Sequence, residues 1–328
     1  MSAPAPLRLG TRASALALAQ SGQAGRALVA GTGREVELVH VRTQGDADRT
    51  SPLAQIGGTG VFVTAVRRAL LDGEVDAVVH SCKDLPTLPE DGIALACIPA
   101  REDPRDALCA RDGLTLADLP RGASVGTGSP RRAAQLLHAR PDLHVVAIRG
   151  NIDTRLGRAL GEHADLDAVV LAASGLRRLG RDAAISELLP ASTMLPAPAQ
   201  GALAIEVRSE SLEDPGLAWL VEALAREDDP ASRAAVTAER SLLRTLEAGC
   251  SAPVAAFAEM DGARLQLQAL AIRTDGGHAV RAEASAPLDL AHDELTGAAS
   301  VPARLGAQLA ESLLGRGAGA ILADARTS

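Results

Sequence analysis

SVGTGSPRRAAQLL, residues 124–137, reads as a strand, a tight turn and a helix in quick succession. Ser124 to Gly126 form the strand; Ser129 directly before Pro130 suits an N-cap followed by proline at the first helical position. LHVVAIRGNIDTRL, residues 143–156, repeats the pattern: strand Leu143 to Ile148, a turn at Gly150, Asn151 as cap and a helix from Ile152. A third copy, AVVLAASGLRR at 168–178, runs from the strand Ala168–Leu171 to a helix from Gly175. Strands separated by helices predict a parallel sheet. Ligands of open α/β sheets collect at the carboxyl ends of the strands. Each of these three turns carries arginine there: Arg131 and Arg132, Arg149 and Arg155, Arg177 and Arg178. Cations in a first helical turn oppose the helix dipole, so they are either solvated or paired to surface acids, or they meet a bound anion. The convergence of three turns favours the anion, and the planar guanidinium suits a ligand rich in carboxylate or phosphate.

Outward from this segment, the N-terminal third has the same grammar: Leu7–Leu9, a helix Ser14–Ala30, Val36–Val41, a helix Val63–Leu71 and Val75–His80. It restarts after Asp103-Pro104-Arg105. LPASTMLPAPAQG, residues 189–201, with three prolines, reads as a crossover, and the strand behind it, Ala202–Val207, as a return to the first lobe. Beyond Ala218 come helices, with one at Pro230–Leu246, strands at Val254–Ala258, Leu265–Ile272 and His278–Ala284, and a last helix at Ala303–Leu314. The expected organisation is a first lobe from residues 1–100 and 197–220, a second lobe from 101–196 and a smaller α+β domain from 221–328. Two lobes joined by crossings predict a cleft, where ligands usually sit.

Composition narrows the functions. At 328 residues, 47% apolar and 23% charged, the chain is an ordinary globular protein too long for one small module. Aromatics are 1% with no Tyr, which leaves little on which to stack nucleic-acid bases. The net charge of −8 is the wrong sign for a phosphate-backbone binder. Residues 121–182 nevertheless hold ten Arg against six acids, and Lys83 is the sole lysine. Cys82, Cys97, Cys109 and Cys250 show no C-x-x-C pair, and seven scattered His offer no ligand pair, so neither a disulfide framework nor a metal is expected. No apolar run approaches a membrane span. The expectation from composition is a cytoplasmic protein without nucleic-acid or membrane partners; the further expectation of a monomer rests on no feature of composition.

In the first lobe, Arg12 and Ser14 lie at a βα turn, and the strand VDAVVHSCKDLP ends in Ser81, Lys83 and Asp84. A lone carboxylate among cations can stay ionised and balance a developing positive charge. QIGGTGVF, residues 55–62, matches neither a phosphate loop nor a dinucleotide fingerprint and reads as a lid bearing Gly57, Gly58, Gly60 and Phe62. Cys250, in a Gly-Cys-Ser turn after a helix, is more open to chemistry than a core cysteine.

TRASALA, TQGD, GGTGVF, HSCKDLP, REDPRDA, GTGSPRR, RGNIDTRL, SGLRRLG, LPAPAQGALAIE and AERSLLRTLEAGCSAP follow one another through most of the chain. In this order they resemble the porphobilinogen deaminase (hydroxymethylbilane synthase) family. The resemblance implies two periplasmic-binding-protein-like α/β lobes around a cleft plus a C-terminal α+β domain. It also implies a transferase that joins four porphobilinogen molecules on a covalent dipyrromethane cofactor. It assigns the cofactor thioether to Cys250, catalysis to Asp84, cofactor carboxylates to Lys83, Ser14, Ser129, Arg131, Arg132 and Arg178, and substrate to Arg12, Arg149, Arg155 and Arg240. Departures cluster at the lid, with Thr59 where many members carry Lys and Ala65 where they carry Glu; Ala15, Gly128, Pro130 and Ala248 also differ from common choices. The rival readings are a non-catalytic two-lobe anion-binding module, which gives Cys250 no role, and a cysteine hydrolase, for which no His pairs with Cys250.

Overall fold

In lobe 1 the strands β1 (Leu7–Thr11), β2 (Val36–His40) and β3 (Ala77–Ser81) run parallel, with helices α1 (Ala15–Val29) and α2 (Gly60–Leu71) between them. The computed structural model describes residues 4–41, 60–248 and 252–327. β4 (Ile93–Cys97) completes a sheet of order β2-β1-β3-β10-β4, in which β10 (Leu203–Arg208) is antiparallel to both neighbours. The strand expected behind the proline-rich crossover therefore does return to the first sheet. Leu7, Leu9, Leu28, Ile205 and Val207 form the core of one face, and Val66, Leu70, Val75 and Val78 that of the other.

Helix α6, here residues Ala218–Glu227, adds Leu220, Ala223 and Leu224 to the first of these cores. Residues 1–101 and 202–232 form one compact unit, and 102–201 with 233–328 the other.

Lobe 2 repeats the plan. β6 (Ser124–Thr127), β7 (His144–Ala147) and β8 (Ala168–Ala172) are parallel, and they alternate with α3 (Pro130–Ala139), α4 (Ile152–Leu160) and α5 (Ala173–Arg178). The order is β7-β6-β8-β5-β9, with β5 (Asp106–Ala110) antiparallel to β8 and to β9 (Glu187–Leu188). β5 follows β4 in sequence and β10 follows the proline-rich segment, so in each sheet the antiparallel strand is one laid down where the chain passes between lobes. Two strands that the sequence pattern did not separate, β4 and β5, are short runs without a helical partner between them.

The C-terminal part of the second unit is an antiparallel sheet, β11 (Val254–Asp261), β12 (Arg264–Ile272) and β13 (Ala279–Pro287). Its strands alternate. Val254, Ala256, Leu265 and Leu267 face a core shared with α7 (Pro230–Thr245), α8 (Val301–Gly315) and α9 (Ala318–Thr327). Ala255, Leu270 and Ile272 face Ala134 of α3 and Leu195. His138 Nδ1 lies 2.9 Å from the Gly276 carbonyl oxygen, which ties α3 to the β12–β13 turn. These α/β lobes with a smaller α+β domain are the expected fold class.

Candidate functional site

β7, β6 and β8 are parallel neighbours, so their βα turns line one continuous edge of the lobe 2 sheet. At the middle turn Ser129 Oγ accepts from the Arg132 N–H at 3.4 Å, and Pro130 occupies the first helical position. Gly128 is required there, since a Cβ would stand 2.7 Å from the Ile148 carbonyl oxygen. Arg131 and Arg132 are neither solvated nor paired at the surface: both are buried against Asp106, the first residue of β5, itself fully buried. Arg131 Nη2 donates to Asp106 Oδ2 at 2.7 Å and Nη1 to the Leu195 carbonyl at 2.5 Å. Arg132 Nε donates to Asp106 Oδ1 at 2.9 Å. Burial opposes ionisation of Asp106, but the two guanidiniums outweigh it and hold the carboxyl down at about 2. Gln200 Nε2 donates to Asp106 Oδ1 and to the Pro104 carbonyl, both at 2.8 Å, while its Oε1 accepts from Arg132 Nη2 at 3.3 Å.

The two flanking segments add further arginines. At the end of β7, Arg149 is exposed, Asn151 caps α4 by accepting from the Thr154 N–H at 2.8 Å, and Arg155 Nε donates to the Gly150 carbonyl at 2.8 Å. Burial and then the nearby Arg132 push the Arg155 guanidinium below its ordinary value. α5 begins directly after β8, at Ala173 rather than at the expected Gly175, so Arg177 and Arg178 fall in its last turn instead of in the βα turn, and there they divide. Arg177 faces Asp103 at 3.1 Å and Asp182 at 3.6 Å. Arg178 Nη2 donates to the Gly201 carbonyl at 2.7 Å, its buried Nε has no hydrogen-bond partner, and burial lowers its pKa. Gly201 has φ +91 and no room for a Cβ against the Glu102 carbonyl, so the carbonyl that receives Arg178 depends on glycine. Desolvated arginines left with surplus positive charge are a site for anions.

In lobe 1, β1 and β3 are adjacent and parallel, so the turns after them share an edge. Ser14 caps α1, its Oγ accepting from the Ala17 N–H at 3.3 Å, and Arg12 precedes it, half-buried. Ser81 Oγ accepts from Gln20 Nε2 at 2.8 Å, after which Cys82–Asp84 form a single 3-10 turn. Cys82 is buried, Lys83 half-buried and Asp84 exposed. Beneath this turn lies an ion cluster the sequence did not reveal. Glu206 of β10 accepts from Arg67 Nε at 2.9 Å and Nη2 at 2.6 Å, with His80 Nε2 3.3 Å away. Burial opposes its ionisation, yet Arg67 and His80 hold its carboxyl down at about 2.

Arg240 is half-buried on α7. Gly60 and Phe62 stand in the first turn of α2. Cys250, Gly57, Gly58 and Thr59 lie outside the described residues. Among the described residues no group of three or more His, Cys, Asp or Glu could hold a metal, and no helix is long and apolar enough to cross a membrane. Asp106, Gln200, Glu206 and Arg67 are the contributors that sequence reading missed. Asp106 and Gln200 fall inside REDPRDA and LPAPAQG, but only the hydrogen bonds of the folded chain show that these segments meet.

Family models match in two places: "Porphobilinogen deaminase, dipyromethane cofactor binding domain" over residues 7–214 and the C-terminal domain of the same family over 233–315. A porphobilinogen deaminase of Thermobifida fusca is 52% identical over 98% of this chain and 97% of its own. Porphobilinogen deaminase 1 of Streptomyces coelicolor is 51% identical over 97% and 98%. Among solved structures, a methionine binding protein, MetQ, aligns at 14% identity over 66% of this chain and 89% of its own, with TM-score 0.40.

Proposed function

The chain belongs to the porphobilinogen deaminase family, and from that premise we propose that it joins four porphobilinogen molecules head to tail into hydroxymethylbilane on a dipyrromethane held by Cys250. Each addition releases ammonia. The observation that carries this reading is the surplus of desolvated guanidinium in lobe 2: Arg131 and Arg132 share the buried carboxylate of Asp106, while Arg155 and Arg178 rest on the Gly150 and Gly201 carbonyls. Every pyrrole ring of substrate and cofactor carries an acetate and a propionate, so the donor set fits the group. Ser129, Arg131, Arg132 and Arg178 in lobe 2, and Ser14 and Lys83 in lobe 1, are the residues toward the cofactor carboxylates. Arg12, Arg149, Arg155 and Arg240 serve the incoming substrate.

When bound, the dipyrromethane supplies the free α-carbon that primes the chain. Asp84 balances the positive charge that a substrate pyrrole N–H gains as the C–N bond of its aminomethyl group breaks and the nitrogen departs as ammonia, the methylene staying to bond the α-carbon of the chain, and again before the α-proton is lost. An ionised carboxylate does this, and a neutral amide does not. Arginines that already rest on carbonyl oxygens and Asp106 lose little freedom on meeting a ligand, so they position it at small entropic cost. A binding module without chemistry would account for the arginines but leaves Asp84 and Cys250 idle. Purified protein given porphobilinogen should release ammonia and a linear tetrapyrrole in a four-to-one ratio. Binding without ammonia would establish the rival, and the absence of both binding and ammonia would refute the proposal.

A further inference from the structure

β5 is antiparallel to its neighbours, and Asp106 pairs in register with Ala172, the last residue of β8. The first residue of an antiparallel strand thereby lies at the carboxyl end of the parallel ones. It is the one carboxylate that bonds Arg131 and Arg132 there. The Gln200 amide then serves both signs at once, donating to Asp106 and accepting from Arg132. A carboxylate at 200 could accept from Arg132 but would stand against Asp106, so neutrality at this position matters. Ala199, just before it, has φ +60, and its N–H donates to the buried Glu239 of α7, which holds the segment where the amide reaches both partners.

We propose that Asp106 and Gln200 are positioning residues that set the Arg131–Arg132 pair at one net positive charge, so that it receives one ligand carboxylate. This rests on the porphobilinogen reading for the identity of that ligand. Without Asp106 two guanidiniums would crowd the N-terminus of α3, whose dipole is also positive, and would repel one another when empty. With a second acid the pair would be neutral and would have no claim on an anion. The remaining demand is visible in Arg131 Nε, buried and without a hydrogen-bond partner, and in Arg155, which burial and Arg132 together disfavour as a cation.

The test compares wild type, Gln200→Glu, Asp106→Asn and the double variant, which moves the acid from position 106 to its hydrogen-bonded neighbour at 200 and restores the count. Apoprotein of each is incubated with porphobilinogen, and the two-pyrrole adduct is timed by intact mass at several salt concentrations, with melting temperature as the control for folding. Gln200→Glu, still folded, should load about 10- to 100-fold more slowly, the weight of one charged hydrogen bond. Asp106→Asn should melt lower and load with a steeper salt dependence. The double variant should recover loading toward wild type. Gln200→Glu loading at the wild-type rate, or a double variant no better than Gln200→Glu, overturns the charge argument while wild-type loading keeps the functional reading intact. Wild type that never gains the adduct overturns that reading itself, and the charge argument's ligand with it.

Discussion

Replacing Asp106 by Asn removes the one charge that compensates two buried guanidiniums while keeping the shape of the side chain. Holding the carboxyl at about 2 rather than 3.8 corresponds to about 2 kcal/mol of folding free energy at neutral pH. The variant should lose more than that, roughly 3–5 kcal/mol, because the charges of Arg131 and Arg132 remain buried without their acid. The folded pKa is depressed, so the contribution is complete above the unfolded value of 3.8 and is lost as pH falls toward about 2. Urea unfolding followed by circular dichroism at pH 7, 5, 4 and 3 reads both effects. The gap between wild type and variant should narrow by about 1 kcal/mol between pH 7 and pH 3, since the wild type sheds part of its advantage and the amide has none to shed. A gap below 1 kcal/mol at pH 7, or one that does not move with pH, would refute the reasoning.

Asp84→Asn should leave folding and cofactor attachment intact but lower turnover by at least about 100-fold, in line with losing charge stabilisation in a transition state; near-normal turnover of cofactor-loaded variant would sink the assignment. Intact mass of native protein should exceed the sequence mass by two pyrrole units, mapped by peptide analysis to Cys250 and not to the buried Cys82, Cys97 or Cys109. Cys250→Ser should lose the adduct and melt at a lower temperature, because a ligand bound only by the native state is missing; an adduct on another cysteine contradicts the anchoring. Glu206→Gln leaves Arg67 and His80 without their buried acid and should cost roughly 3–5 kcal/mol at pH 7. With its carboxyl near 2 rather than 4.5, the wild-type advantage should fade as pH drops below about 4.5, and a pH-independent difference in urea midpoint would argue against it.

The βα turns were legible in the sequence because their signals are local. Ser129 before Pro130, Asn151 after a glycine, and apolar runs spaced by helices fix caps, strands and the strand-end edge with no tertiary information. The arginines at 131, 132, 149 and 155 could be assigned to that edge for the same reason, whereas Arg177 and Arg178 lie in the last turn of α5, and the ordered motifs carried the family. Which arginines answer to acids inside the fold was not legible. Arg177 and Arg178 are neighbours with the same chemistry, yet one meets Asp103 and Asp182 and the other the Gly201 carbonyl. The fates of Arg131 and Arg132 depend on Asp106, placed beside them by an antiparallel strand whose direction no local pattern encodes. Arg67, His80 and Glu206 likewise come from a helix and two strands far apart in sequence. Propensity, capping and periodicity are short-range and survive in a string of residues. Compensation of buried charge is a property of neighbours in space, and only the packed sheets decide who those neighbours are.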